Sequence, residues 1–152
     1  VFAVFEQPDL KATFRFTVTA PASWVVVSNA PVESRTESGD AATTVFQTTK
    51  RISSYITAII AGPYQSVHSE LTSADGRTIP LGIFARASLF EHLDADYIFD
   101  ITRKGFAYFE GKFGFPYPFE KYDQLFVPEF NAGAMENAGA VTFTEVYVFR
   151  SK

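Results

Sequence analysis

The hydrophobic period changes along this chain, from that of a strand to that of a helix and back, and the change restricts the fold to a β-rich part followed by a mixed one. In residues 12–20, Phe14, Phe16 and Val18 fall on one face, with Thr13, Arg15, Thr17 and Thr19 on the other. Further strands are expected at 24–28, 42–49 and 55–60. Turn signals separate them at Ala20-Pro21, Asn29-Ala30-Pro31, Ser38-Gly39-Asp40 and Gly62-Pro63. Short strands so spaced predict an antiparallel sandwich or a curved sheet. Thr and Val, which suit half-buried strands, concentrate in this half, whereas Phe concentrates in the next.

After a strand expected at 79–86, apolar residues recur at Ile98, Ile101, Gly105, Phe109 and Phe113, which is helical spacing. Asp94 stands where an N-cap belongs, Asp96 suits the positive end of the helix dipole, and Gly114 and Pro116 end the helix. Strands are expected again at 122–127 and 140–145. The pattern as a whole is α+β. The polar turn Ser73-Ala74-Asp75-Gly76 is the expected boundary, giving segments 1–76 and 77–152.

Composition narrows the chemistry. The 152 residues are 47% hydrophobic and 20% charged, as in a globular chain with a core of its own. A net charge of −4 without any basic run argues against nucleic acid as a partner. Without cysteine, neither disulfides nor thiolate metal sites can form. No apolar stretch is long enough to span a bilayer as a helix, so no membrane segment is expected. The chain starts at Val1 without an initiator Met, and a piece of a longer protein is expected. The expected location is cytoplasmic.

His68 and His92 lack the four-residue spacing of a helical zinc pair and read as surface histidines. Nothing matches a nucleophile elbow, a P-loop or a dinucleotide fingerprint. The unusual segment is 128–140, rich in Gly and Ala around Met135, Glu136 and Asn137. On composition it is either a turn between two strands or a ligand edge. In the second case small residues at 132–134 admit another backbone, an extended peptide pairs with the flanking strand, and Glu136 meets a free α-amine at its end.

Gly133-Ala134-Met135-Glu136-Asn137 resembles the G-A-M-E-N signature of the aminopeptidase N family. Two further runs resemble the same family: Phe115 to Asp123, matching F-x-x-P-Y-P-x-x-K-x-D, with Val127-Pro128-Glu129-Phe130 matching V-P-x-F; and Phe5 to Phe14, matching F-D-E-P-x-x-K-A-x-F with Glu6-Gln7 in place of Asp-Glu. The resemblance spans essentially the whole chain. It implies that 1–76 is the later part of a saddle-like N-terminal β-domain and 77–152 the start of a thermolysin-like catalytic domain. It further implies a zinc-dependent enzyme that removes N-terminal residues from peptides. Glu136 would bind the substrate amine, Gly133, Ala134 and Met135 the peptide backbone, with Ala132 near the first side-chain pocket and Asn137 also among the substrate-binding residues. The family's H-E-x-x-H, its later Glu and its oxyanion Tyr follow this motif, and its second amine ligand precedes the segment matching Phe5. None lies in these 152 residues. The resemblance therefore implies zinc ligands beyond Lys152, no metal bound here, no catalytic residue and no activity in this stretch alone. It also implies the remainder of the catalytic domain as a partner, alongside peptides with a free N-terminus. The leukotriene-hydrolase branch carries G-G-M-E-N, which Ala134 disfavours. The rival from another class is a non-enzymatic β-rich binding module, in which Met135 and Glu136 fill a turn.

Overall fold

The computed structural model describes residues 3–149. Strands β1 (Thr17–Pro21), β3 (Val32–Ser38) and β4 (Ala41–Phe46) form a three-stranded antiparallel sheet in the order β1-β4-β3. The alternation around Phe14 holds: Phe14, Phe16 and Val18 are half-buried and the residues between them exposed. Regular pairing starts only at Thr17, however, and Ala12 makes a single bridge to Ile52. β4 turns Ala42, Thr44 and Phe46 inward, each at most 3% exposed. β3 was not legible in the sequence because every residue in it is exposed. It is a charged edge strand with a bulge between Val32 and Ser34, features that discourage pairing with other chains.

β2 (Val25–Ser28) pairs antiparallel with β5 (Ile59–Gly62) as a separate two-stranded sheet. The strand expected at 55–60 is instead a 3-10 turn at Ser54–Ile56 leading into β5.

The remaining strands make one mixed sheet of five, in the order β6-β7-β8-β10-β9. β6 (Tyr64–Thr72) and β7 (Thr78–Arg86) form an antiparallel hairpin. Its turn is Ser73-Ala74-Asp75-Gly76, with Gly76 at φ 84°. That turn joins two strands of a single sheet. Helix α1 (Ala95–Phe113) then carries the chain to β8 (Tyr122–Val127), which lies parallel to β7. Beyond it lie β9 (Ala134–Met135) and β10 (Ala140–Thr144).

α1 begins and ends as expected. The Asp94 side chain accepts a hydrogen bond from the Tyr97 amide at 3.2 Å, and Gly114 closes the helix at φ 63°. The buried face is rotated by part of a turn from the stripe read in the sequence. Ile98, Phe99 and Phe106 pack on the sheet, while Ile101, Phe109 and Phe113 are 49%, 55% and 73% exposed. Polar anchors set that rotation. Thr102 receives a hydrogen bond from the Gln124 amide at 2.9 Å. The Glu110 carboxylate accepts from the Ser73 hydroxyl at 2.5 Å and from the amides of Ala74 at 2.8 Å and Tyr117 at 2.7 Å. Burial pushes that carboxyl up, but the three hydrogen bonds outweigh it and hold it below the ordinary carboxylate value.

The five-stranded sheet is thus covered on both faces. α1 packs on one, over Leu71, Ile79, Leu81, Ile83 and Phe126. The β2–β5 pair packs on the other, where Val25, Val27 and Ile60 meet Phe84, Leu125 and Ala140. Burial on both sides explains the near-continuous apolar run of β7.

Candidate functional site: a free sheet edge and its anchor

β8 and β10 are parallel neighbours, with Ala140 opposite Asp123 and Thr144 opposite Val127. Residues 128–139 therefore form a crossover that overshoots β10 and returns, so β8 and β10 are not joined as a hairpin, and residues 136–139 make the turn between the antiparallel β9 and β10. The crossover leaves the core at Val127-Pro128 and passes Glu129, a non-glycine residue at φ 50°. It doubles back through β9, the outermost strand of the sheet.

β9 pairs with β10 on one side only, Met135 opposite Thr142 and Ala134 opposite Phe143. Gly133 O accepts from the Thr144 amide at 2.9 Å. Backbone groups alternate in direction along an antiparallel strand, so Gly133 and Met135 turn theirs toward β10. Ala134 consequently directs its N–H and C=O away from the sheet, along the unpaired edge. Ala132, Ala134 and Glu136 are exposed, and Gly133 and Met135 half-buried. The Glu136 carboxylate stands immediately past the end of this edge and makes no hydrogen bond or ion pair among the described residues. At Gly133 the hydroxyl of the exposed Tyr147 side chain lies where a Cβ would go, so a larger residue there would displace that ring. A bidentate pair, Arg86 Nε to Glu145 Oε2 at 2.9 Å and Nη2 to Oε1 at 2.6 Å, ties the end of β10 back to β7.

The next four residues differ. Asn137, Ala138, Gly139 and Ala140 are all buried. Asn137 Nδ2 donates to Ala140 O at 3.3 Å and to Thr142 Oγ1 at 3.2 Å, and the Ala140 amide returns to Asn137 O at 3.1 Å. Gly139, at φ 70°, lies so close to Asn29 O that a side chain there would overlap it. Beneath the loop sits an ion pair. Lys121 Nζ donates to Asp123 Oδ2 at 2.5 Å and to Gly139 O at 2.8 Å, and both side chains are 11% exposed. Burial lowers the Lys121 pKa, opposed by the adjacent Asp123 carboxylate. From the β-rich half, Asn29 Nδ2 reaches Ala138 O at 2.8 Å.

The residues singled out in the sequence thus divide. Ala132 to Glu136 lie along the open edge, while Asn137 points into the anchor. The sequence reading missed Asn29, taken as a turn residue, and gave Lys121 and Asp123 no role. The latter two stood within a recognised motif, which was an available signal. His68 and His92 are both exposed, His68 lying against Ser66 and Phe84 and His92 beside Glu91. Among the described residues no group of three or more His, Asp or Glu side chains is placed to hold a metal ion. The described residues therefore make no zinc site. No helix in the described residues is long and apolar enough to cross a membrane.

The mixed sheet, with a helix on one face, thus ends in an open edge strand with a carboxylate at the end of that edge. The M1 N-terminal domain model matches residues 1–56, and the model of the peptidase family M1 domain matches 97–151. The chain belongs to this peptidase family, in its aminopeptidase N branch. It is 62% identical over all 152 residues to an aminopeptidase N of Streptomyces lividans, of which it spans 17%. It is 35% identical over 147 residues to that of Mus musculus and 34% over 151 residues to the mitochondrial aminopeptidase 2 of Saccharomyces cerevisiae. The alignments take in 95% and 99% of this chain and 15% of each relative.

Proposed function

We propose that this chain supplies the edge on which an aminopeptidase holds the N-terminal end of its peptide substrate. The observation that carries the reading is the pairing of an open β9 edge with an exposed Glu136 carboxylate at its end. An extended peptide adds to the edge through the outward N–H and C=O of Ala134, with Gly133 and Met135 keeping the strand in place. Its α-ammonium meets Glu136 in a charge-assisted bond, which fixes the register of the first peptide bond. Blocked or internal peptides leave that carboxylate unpaired on closure and are rejected. Ala132 borders the first side-chain pocket. Asn137, with its amide committed to Ala140 and Thr142, has a supporting part.

The zinc implied by the family resemblance would be held by residues outside this chain and would polarise the scissile carbonyl and activate water. These 152 residues therefore bind and orient, and by themselves are inactive. The remainder of the catalytic domain is the partner expected on the outer flank of α1. Ile101, Phe109, Phe113 and Phe115 there line an open apolar groove of about 450 Å³. We place the division between the β-domain and the catalytic domain at Pro63, where the chain leaves the β2–β5 pair for the five-stranded sheet.

Replacing Glu136 with Gln in the complete protein tests the reading. The expected result is a fall in kcat/KM on free-amine peptides of at least about tenfold, or roughly 1.4 kcal/mol. An unchanged kcat/KM removes Glu136 from the site. Complete protein without any peptidase activity, with or without a chelator, would favour the binding module.

A further inference from the structure

We infer that Asn29 is a positioning residue for the amine site, the point at which the β-rich half sets the place of Glu136. This rests on the proposed role of Glu136 and extends it to a residue far away in sequence. Asn29 lies in the turn between β2 and β3, where an asparagine ordinarily bonds the backbone of its own turn. Here its side-chain bonds all leave that turn. Nδ2 donates to Ile56 O at 2.9 Å and to Ala138 O at 2.8 Å, and Oδ1 accepts from the Ala58 amide at 2.9 Å. The Ala138 amide also donates to Ile56 O, at 3.3 Å. Asn29, Ile56 and Ala138 thus close a small buried ring, with Asn29 only 6% exposed.

The ring acts on one place. Ala138 is two residues past Glu136, and Gly139 presses on the backbone oxygen of Asn29. With its second half gripped in this way, the loop can move Glu136 only by bending at 136–137. Neither side of β9 offers a substitute, since one edge is open and the other is a ladder of two residue pairs. Without the Asn29 amide, Ala138 O loses its 2.8 Å bond and the loop can settle elsewhere. A displacement near 1 Å at a positioning group costs up to about a hundredfold in rate.

The test is a double-mutant cycle in the complete protein, reading kcat/KM on a free-amine peptide. Asn29→Ala is expected to lower it about tenfold in the wild-type background and less than about twofold in the Glu136→Gln background, because the two act through one contact. Equal losses in both backgrounds overturn the inference, since a loss of overall structure would not depend on Glu136. No loss in the wild-type background overturns it as well. If Asn29→Ala fails to fold, Asn29→Ser, which keeps a short donor, is read by the same two outcomes. A Glu136→Gln protein as active as wild type defeats the underlying reading and this one together. A tenfold Glu136 effect with a silent Asn29 defeats this one only.

Discussion

Residues 132–136 and 137–140 are neighbours in sequence and opposites in environment. The first stretch runs along an open sheet edge, is held by a two-pair ladder and one amide bond, and ends in an unpartnered carboxylate. The second is buried throughout and bonded to β8, β10 and the β-rich half. A five-residue signature thus contains two kinds of residue. Ala134 and Glu136 lie on the open edge, Gly133 and Met135 hold that edge to β10, and Asn137 belongs to the base. The difference teaches that a sheet edge can stay open where the chain beside it is fixed. The ion pair of Lys121 and Asp123, together with Asn29, provides that fixing without touching the edge itself.

Substitutions can break this contrast. The largest effect is expected for Lys121→Met, which leaves Asp123 buried and uncompensated and should cost about 3–5 kcal/mol of stability in the complete protein. Denaturant unfolding reads it, and a loss below about 1 kcal/mol would show that the pair does not anchor the loop. Gly139→Ala comes next. The left-handed backbone and the overlap with Asn29 O should together cost about 2 kcal/mol or more, measured in the same way.

Glu110 sharpens the contrast from outside the loop. Its depressed pKa means that folding favours the ionised form. The stabilisation is complete above the ordinary value of 4.5 and is lost as pH falls through the lowered one. Glu110→Gln, which disrupts three hydrogen bonds to a buried carboxylate, should lose about 2 kcal/mol at neutral pH and show a flatter decline in melting temperature below pH 4.5, with kcat/KM changed less than about twofold. The smallest effect belongs to the edge. Ala134→Ser, on an exposed strand, should change stability by no more than about 0.5 kcal/mol. A cost comparable to that of Gly139→Ala would erase the distinction between edge and base.

What could be read in advance follows the range of the interactions. α1 was legible at both ends because Asp94 and Gly114 act on backbone within one turn of themselves. Its rotation was not, since Glu110 finds Ser73 and Ala74 across the fold. β4 and β7 carried a one-sided or continuous apolar pattern, whereas β3 is exposed all along and left no pattern. The turn at 73–76 had the composition of a boundary and is the tip of a hairpin, because polar turn residues serve either purpose. At the site, motif resemblance pointed to Gly133 and Glu136. Asn29 escaped because its partner Ala138 lies 109 residues away, and nothing local distinguishes it from an ordinary turn asparagine.

The most direct measurement is the equilibrium affinity of the complete protein for a short peptide and for the same peptide lacking its α-amine, each with wild type and Glu136→Gln. The account predicts that wild type prefers the amine by at least about tenfold and that Glu136→Gln removes most of the preference, leaving the affinity for the des-amino peptide nearly unchanged. A preference that survives the substitution intact would place the amine elsewhere and contradict the account.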